Sequence, residues 1–186
     1  MPDVSELREL ISAHAIAQRV GELAAEITSH YAGRRPLLVG VLNGAVIFMS
    51  DLARKLDLEL DFQFMAVSSY GAATETSGVV QILKDLDSPI EGREVLIVED
   101  IIDSGLTVRY LLRTLQQRRP ADIRIVSLLR KSRPELADLH IDWVGFEIPD
   151  EFVVGYGLDL AGRYRNLPSV AVAVLAETET DGVGRE

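Results

Sequence analysis

Short runs of apolar residues alternate along this chain with longer segments in which apolar residues recur every three or four positions. The short runs predict strands; they lie at residues 37–42, 58–64, 79–83, 95–98, 123–129, 143–146 and 170–175. Two of the longer segments, beginning near residues 44 and 106, predict helices with one apolar face each. Because strands and helices alternate, the pattern predicts an α/β fold with a mainly parallel, twisted sheet and helices on both faces.

The first segment, residues 4–31, also carries a helical pattern. We expect one opening helix there, although its length leaves room for a break near residues 13–15. Its predicted buried face comprises Ile16, Val20, Leu23, Ala24 and Ile27. Residues 58–64 instead alternate between apolar and polar, which predicts a strand with one buried face. That face comprises Leu58, Leu60, Phe62 and Phe64.

Composition indicates a globular protein and limits its partners. With 186 residues, 47% of them hydrophobic, the chain suits one domain, which we assign to residues 1–175; the acidic tail at residues 176–186 is expected to be disordered. A net charge of −10 argues against binding of nucleic acids or anionic membranes, which require clustered Lys and Arg. We find no cysteine, no secretory signal and no apolar stretch of about 20 residues, so we expect a soluble, cytoplasmic protein.

Candidate chemistry is concentrated in residues 95–107, where a buried strand leads into acids and a small turn. Four apolar residues precede Glu99, Asp100 and Asp103, and Ser104-Gly105-Leu106-Thr107 then opens a helix. In α/β sheets ligands bind beyond the carboxyl ends of strands, and free N–H groups at a helix start attract anions. An isolated acidic pair after a buried strand would more simply be two solvent-exposed carboxylates. Three acids followed by Ser-Gly-x-Thr instead indicate acid and phosphate chemistry.

Residues 99–107 closely resemble the diphosphate-sugar motif of the phosphoribosyltransferases, enzymes that transfer a ribose 5-phosphate unit between pyrophosphate and a nitrogenous base. The resemblance implies the type I phosphoribosyltransferase fold, with a small hood over the base site. It also implies that Glu99 and Asp100 bind the ribose hydroxyls and that Asp103 is the catalytic base, which accepts the N7 proton of a purine. The residues implied to cradle the 5-phosphate are Ser104, Gly105, Leu106 and Thr107.

Further segments, between about residues 38 and 167, resemble the hypoxanthine-guanine branch of that family. Leu42, Asn43 and Gly44 look like its pyrophosphate-binding loop, in which we expect a cis peptide between Leu42 and Asn43. Many members of the branch carry Lys where this chain has Asn43, so backbone N–H groups are the expected pyrophosphate donors of this loop. Arg165 matches an arginine that contacts pyrophosphate.

The segment at residues 144–159 is similar, nearly position for position, to the purine-binding hood of that branch. We expect the hood to combine the N-terminal segment with residues 144–167. By resemblance, the base site comprises Lys131, Phe152, Val153 and Asp159. In that site Lys131 would donate to the purine O6, and the ring of Phe152 would stack on the base.

The resemblance implies an enzyme that transfers the phosphoribosyl group from phosphoribosyl diphosphate to N9 of hypoxanthine or guanine, yielding IMP or GMP. The implied cofactor is Mg²⁺, with Glu99, Asp100 and Asp159 as its ligands. Ser69 and Tyr70 resemble the start of a lid that closes over the site and excludes water. A homodimer or homotetramer is implied as well, with no nucleic-acid or membrane partner.

Two alternatives stay open on the sequence. A xanthine-preferring relative would share these motifs, because the choice of purine depends on hydrogen bonds around the 2-position that the backbone partly makes. A non-catalytic, nucleotide-sensing regulator on the same fold would need a basic face to bind RNA, and the net charge of −10 argues against one.

Overall fold

The computed structural model describes residues 4–69 and 80–175 of the chain. Its strands are β1 (Val4–Ile11), β2 (Leu37–Leu42), β3 (Asp61–Ser69), β4 (Val80–Lys84), β5 (Glu94–Ile102), β6 (Asp122–Lys131), β7 (Trp143–Ile148), β8 (Val153–Val154) and β9 (Val170–Leu175). Its helices are α1 (Ala13–His30), α2 (Val46–Ala53) and α3 (Leu106–Gln116), and a short 3₁₀ turn spans Pro134–Leu136.

Six strands form one sheet in the order β4-β3-β2-β5-β6-β7. Neighbouring strands run parallel except at one edge, where β4 pairs antiparallel with β3. The chain moves outward from β2 to β3 on one side and from β5 to β6 on the other. Such a reversal opens a crevice at the carboxyl ends of the two central strands, and ligands of α/β proteins bind in this crevice.

Helices cover both faces of this sheet, as the sequence pattern predicts. On one face α1 and α2 pack on the sheet, and all five side chains predicted to line α1 are buried. On the other face α3 buries the residues of its apolar stripe. Leu96 and Val98 belong to the first core and Val95 and Ile97 to the second, so β5 is buried on both sides. This is why the strand appears in the sequence as a continuous apolar run.

A second sheet, antiparallel and three-stranded in the order β1-β9-β8, forms the hood. It joins the first and last strands of the described chain to the two-residue strand that follows β7. In contrast, β7 pairs with β6 at the edge of the large sheet. Strand β1, from the N-terminal segment, therefore belongs to the small sheet, while residues 143–148 extend the parallel sheet.

The prediction of a single opening helix over residues 4–31 is wrong, because residues 4–11 form β1. The helix begins after Ser12, whose Oγ accepts a hydrogen bond from the backbone N–H of Ala15 at 3.2 Å. Ser is a favoured N-cap residue, since its side chain satisfies a first-turn N–H group. β1 is defined by its pairing with β9, from the other end of the sequence. Local periodicity contains no information about such a distant partner.

The predicted buried face of residues 58–64 is partly wrong. Phe62 is 52% exposed, whereas Gln63 and Met65, on the opposite face of β3, are buried. The amide of Gln63 is tolerated there because its Oε1 accepts a hydrogen bond from the backbone N–H of Asp87 at 2.8 Å. Strand β3 thus contributes to both cores rather than to one.

Within residues 4–69 and 80–175, no helix is both long enough and apolar enough to cross a membrane. Two predictions, the lid residue Tyr70 and the acidic tail at residues 176–186, lie outside the described residues. Ser69 is the last residue of β3 and pairs with Val80 of β4, so these two antiparallel strands flank the predicted lid segment.

Candidate active site

A cavity of about 270 Å³ lies at the carboxyl ends of the central strands. Its walls come from the loop after β2, the end of β5, the end of β6 and the hood. The described residues that line it are Asn43, Gly44, Asp100, Ile101, Asp103, Lys131, Phe152, Val153, Leu158, Asp159 and Arg165. All of these except Ile101 and Leu158 are predicted site residues, and the fold brings them together from four separate parts of the sequence.

The loop after β2 brings main-chain groups to the cavity. The peptide between Leu42 and Asn43 is cis, as expected. Gly44 lies so close to Asp100 that a Cβ built on Gly44 would overlap Asp100 Oδ2. A larger residue at this position would force the Asp100 carboxylate or the loop to move, so the glycine allows the two to lie in direct contact.

Glu99 and Asp100 are consecutive residues of β5, so their side chains point to opposite faces of the sheet. Asp100 lines the cavity, and its Oδ1 accepts a hydrogen bond from the N–H of Ile101 at 2.8 Å. Burial raises the pKa of Asp100 to about 6, although Arg165 acts in the opposite direction. Glu99 is 4% exposed, and no described residue bonds to its Oε1. Burial, followed by the charge of Asp100, raises the pKa of Glu99 well above its ordinary value.

This alternation bears on the predicted metal ligands. Among residues 4–69 and 80–175, no three His, Cys, Asp or Glu side chains form a group that could hold a metal ion by themselves. The set of Glu99, Asp100 and Asp159 is not assembled, because Glu99 points away from the face that Asp100 occupies. Asp100 and Asp159 both line the cavity. They fit Mg²⁺, which is commonly held by one or two carboxylates together with waters and substrate phosphates.

Asp103 lies beside two basic side chains at the end of β6. Its Oδ1 is 3.2 Å from Lys131 Nζ and 3.0 Å from Arg133 Nη2. Both cations also contact Asp150 Oδ1, at 3.1 Å and 2.5 Å respectively. The hydrogen bond from Arg133, and then that from Lys131, lowers the pKa of Asp150. Two acids and two bases thus balance one another at the edge of the cavity, which allows the Lys131 side chain to be 8% exposed.

Arg133 and Asp150 are members of this cluster that the sequence analysis misses. Arg133 has extended dihedral angles and follows Lys131 by two positions, so the two side chains point to the same side. That spacing is the local signal that could have identified Arg133. Asp150 follows β7, and it lies close to Lys131 and Arg133 because β7 pairs with β6. No pattern within the sequence shows that pairing.

The turn between β5 and α3 places main-chain N–H groups next to Asp103. Gly105 has φ +78°, and α3 begins at the following residue. The first N–H groups of a helix lack partners within it, and here Leu106 N is 3.5 Å from Ser104 Oγ. Ser104, Leu106 and Thr107 are not among the described lining residues but adjoin Asp103, which is. Hydroxyls and free N–H groups at a helix start suit an anion such as a phosphate.

The hood completes the opposite wall with an exposed ring and a fixed cation. Phe152 is 49% exposed, whereas Val153 behind it is buried. Arg165 Nη2 is 2.7 Å from Asp159 Oδ1, and Arg165 Nη1 donates to the carbonyl of Gly157 at 2.7 Å. The guanidinium is therefore held in one orientation at the wall of the cavity that also contains the loop after β2.

Comparisons with known sequences agree with this geometry. The family model of the phosphoribosyl transferase domain matches residues 7–160. The hypoxanthine-guanine phosphoribosyltransferase of Bacillus subtilis is 55% identical over 163 residues, which cover 88% of this chain and 91% of that relative. The hypoxanthine-guanine phosphoribosyltransferase of Mycobacterium avium is 54% identical over 164 residues, or 85% of this chain and 81% of that relative.

Solved structures show the same fold. A crystal structure of a hypoxanthine-guanine phosphoribosyltransferase from Bacillus anthracis matches with a TM-score of 0.85 and 41% sequence identity, covering 92% of this chain and 100% of that one. These similarities confirm the type I fold, and they favour neither the xanthine-preferring alternative nor the regulatory one. The chain therefore belongs to the phosphoribosyltransferase family, within its hypoxanthine-guanine branch.

Proposed function

We propose that this protein transfers the 5-phosphoribosyl group of phosphoribosyl diphosphate to N9 of hypoxanthine or guanine, giving IMP or GMP and pyrophosphate. The observation that carries the proposal is the shared cavity. It joins the loop after β2, the acids that end β5, and a hood with an exposed aromatic ring. A diphosphate, a ribose and a flat base each require one of these environments.

The purine lies between the hood and the end of β6. The half-exposed ring of Phe152 offers a stacking surface, and the backbone of Val153 offers hydrogen bonds to the edge of the base. Lys131, which is buried and lines the cavity, donates to O6. A donor of this kind discriminates against bases that lack the matching acceptor, because such bases cannot accept its hydrogen bond.

Asp103 accepts the N7 proton of the purine as N9 attacks the ribose carbon. Its carboxylate is half exposed at the cavity and is turned toward the same lysine that donates to O6. A general base must lie within hydrogen-bond reach of the proton that it removes. Lys131 and Asp103 are 3.2 Å apart and can therefore reach the neighbouring O6 and N7 atoms of one ring.

The phosphorylated substrate spans the two central loops. Ser104, Gly105, Leu106 and Thr107 bind the 5-phosphate at the start of α3, while Asn43, Gly44 and Arg165 bind the diphosphate. Asp100, which lines the cavity, serves the ribose hydroxyls, whereas Glu99, on the other face of β5, is not placed to do so. Asp100 and Asp159 are the residues that would hold Mg²⁺ together with substrate oxygens. When bound, the ion would neutralise charge on the departing diphosphate.

The segment that begins with Ser69 and Tyr70 serves as a lid that excludes water, so that the ribosyl group is not lost to hydrolysis. The antiparallel strands β3 and β4 flank this segment. We place the reaction in the cytoplasm, because phosphorylated sugars carry several charges and do not cross a bilayer unaided.

The protein acts as a homo-oligomer. An apolar groove of about 630 Å³ lies between α2 and β3, away from the candidate active site, and Val46 and Phe62 at its wall are 37% and 52% exposed. An apolar groove and an exposed ring on the same patch would suit a two-fold interface, in which the same surface of each copy meets the other. Phe62→Asp should therefore shift the mass in light scattering toward the monomer. An unchanged mass would place the interface elsewhere.

Initial rates with hypoxanthine, guanine and xanthine, at saturating phosphoribosyl diphosphate, test the reaction directly. We expect nucleotide formation with the first two bases in the presence of Mg²⁺ and a loss of activity in excess chelator. Full activity in chelator would remove the metal from the proposal. Faster turnover of xanthine than of the other two bases would replace the proposed substrates.

A further inference from the structure

Three consecutive residues of the hood, Gly155, Tyr156 and Gly157, have φ values of +99°, +50° and +104°. Two are glycines, but Tyr156 is a bulky residue in a backbone conformation that such residues rarely adopt. Main-chain hydrogen bonds hold this turn, from Tyr156 N to Leu167 O at 2.8 Å and from Gly157 N to Arg165 O at 3.0 Å. A strained conformation that persists calls for a physical reason.

The side chain of Tyr156 connects the hood turn to helix α2. It is 7% exposed and packs in the core between the sheet and α1 and α2. Its hydroxyl donates to Asp51 Oδ2 at 2.7 Å. Burial, and then this hydrogen bond, raises the pKa of Tyr156, so the hydroxyl remains a donor. Asp51 belongs to α2, the helix that begins directly after the loop containing Asn43 and Gly44.

The backbone of Gly157 supplies a second connection to the same loop. A Cβ built on Gly157 would overlap the carbonyl oxygen of Gly44, and a Cβ built on Gly44 would overlap Asp100. Gly44 is thus enclosed between the hood on one side and β5 on the other. Its position, and with it the direction of the loop N–H groups, depends on where the 155–157 turn lies.

We propose that Tyr156 and Asp51 are a positioning pair that fixes the diphosphate-binding loop against the purine-binding hood. Neither residue is among the described residues that line the candidate active site; both line a separate groove beside α1. They act through Gly157 and Gly44. The inference rests on the proposed function for the identity of the ligands, and it adds that the hydroxyl of Tyr156 sets the affinity for diphosphate.

The test compares Tyr156→Phe with the wild-type enzyme. The variant keeps the ring and its packing but loses the donor. We expect the KM for phosphoribosyl diphosphate, and the Kd for pyrophosphate by calorimetry with Mg²⁺, to rise about 5- to 10-fold, since a bond to a charged partner is lost. The KM for the purine and kcat should change less than about twofold, because the base contacts are untouched.

Variants of Asp51, which accepts the hydrogen bond from Tyr156, test the same pair from the other side. Asp51→Asn retains an acceptor and should stay near the wild type, whereas Asp51→Leu should reproduce Tyr156→Phe, and the double variant should be no worse than either single one. Arg54→Met is the matched control, because Arg54 is the other side-chain partner of Asp51 and does not bond to Tyr156. It should leave diphosphate affinity unchanged.

A purely structural role would appear as a lowered melting temperature with unchanged pyrophosphate Kd, and this result overturns the proposal. An equal rise in the purine and diphosphate constants overturns it too, because the effect is then not directed to the loop. Failure of the proposed function is a separate result. The wild type would then make no IMP or GMP, whereas the calorimetric comparison of pyrophosphate binding among variants does not require turnover.

Discussion

The β5-α3 segment and the hood segment that follows β8 both reach the same cavity, but they are built in different ways. The first is a regular strand, turn and helix in which Gly105 is the one residue with a left-handed φ. In the second, six residues have positive φ; they are Gly155, Tyr156, Gly157, Ala161, Gly162 and Tyr164. Parallel neighbours fix the first segment on both sides, whereas contacts with distant loops fix the second.

The difference indicates how each half of the site responds to change. A residue of β5 keeps its place because the sheet fixes it, so substitution there should alter chemistry more than geometry. A residue of the hood turn holds its own segment in place, so substitution there should displace its partners. Four substitutions separate these two kinds of effect.

Gly157→Ala should have the largest effect, because the added methyl overlaps the carbonyl of Gly44. A displacement of about 1 Å in the loop after β2, which we propose binds the diphosphate, should lower kcat/KM for phosphoribosyl diphosphate about 100-fold. Gly162→Ala is the matched control, since Gly162 also has a left-handed φ of +80° but nothing lies near its Cβ position. Both variants should lose stability, by roughly 1 kcal/mol or more. Similar activities in the two variants would show that close contact with Gly44 is unimportant.

Asp103→Asn removes the proposed base without moving the backbone of the β5-α3 turn. We expect kcat to fall by roughly 100-fold or less, at the low end of general-base contributions, with little change in melting temperature. Asp138→Asn removes an exposed carboxylate that pairs with Arg109 and serves as the charge control. An unchanged kcat in Asp103→Asn, under conditions where chemistry limits the rate, would exclude Asp103 as the base.

Lys131→Met keeps the aliphatic stem and deletes the donor proposed for O6. Catalytic efficiency with hypoxanthine and guanine should fall by about 10- to 100-fold, or roughly 1.4–2.7 kcal/mol. Lys55→Met is the control, because Lys55 is exposed and lies outside the cavity lining. Equal efficiency of Lys131→Met and the wild type would assign Lys131 to the charge cluster with Asp103 and Asp150 alone.

Asp100→Asn should have the smallest of these effects, a change in stability that depends on pH and is separate from any loss of ligand binding. The folded-state pKa of about 6 exceeds that of an unfolded Asp, about 4, so the contribution of this group is fully present below about pH 4 and is lost as the pH rises through 6. At pH 8 the free energy of unfolding of the variant should therefore exceed that of the wild type by roughly 1–3 kcal/mol. The gap should close by pH 4. Thermal unfolding at both pH values measures it, and a gap independent of pH would contradict the assignment.

The same comparison explains what could be predicted from the sequence. The β5-α3 unit has local signals, an apolar run followed by acids and a helical stripe, and its residues lie where the pattern predicts. The hood offers no such periodicity, so its base-site residues could be named only through resemblance. Arg133 and Asp150, and the pair of Tyr156 and Asp51, meet through tertiary contacts that no local pattern encodes. The prediction of a single opening helix was wrong for the same reason, because the β1 conformation of residues 4–11 depends on pairing with β9.

The pairing of β1 with β9 has a consequence for biosynthesis. The central strand of the hood sheet is the last strand of the described chain, so β1 has no partner until β9 has emerged from the ribosome. The parallel sheet from β2 to β7 needs no such late segment. A nascent chain released before residue 170 would therefore retain the strands of the parallel sheet and lack a formed hood sheet. Such a chain would expose the apolar inner side of the hood, a surface of the kind that chaperones and proteases recognise.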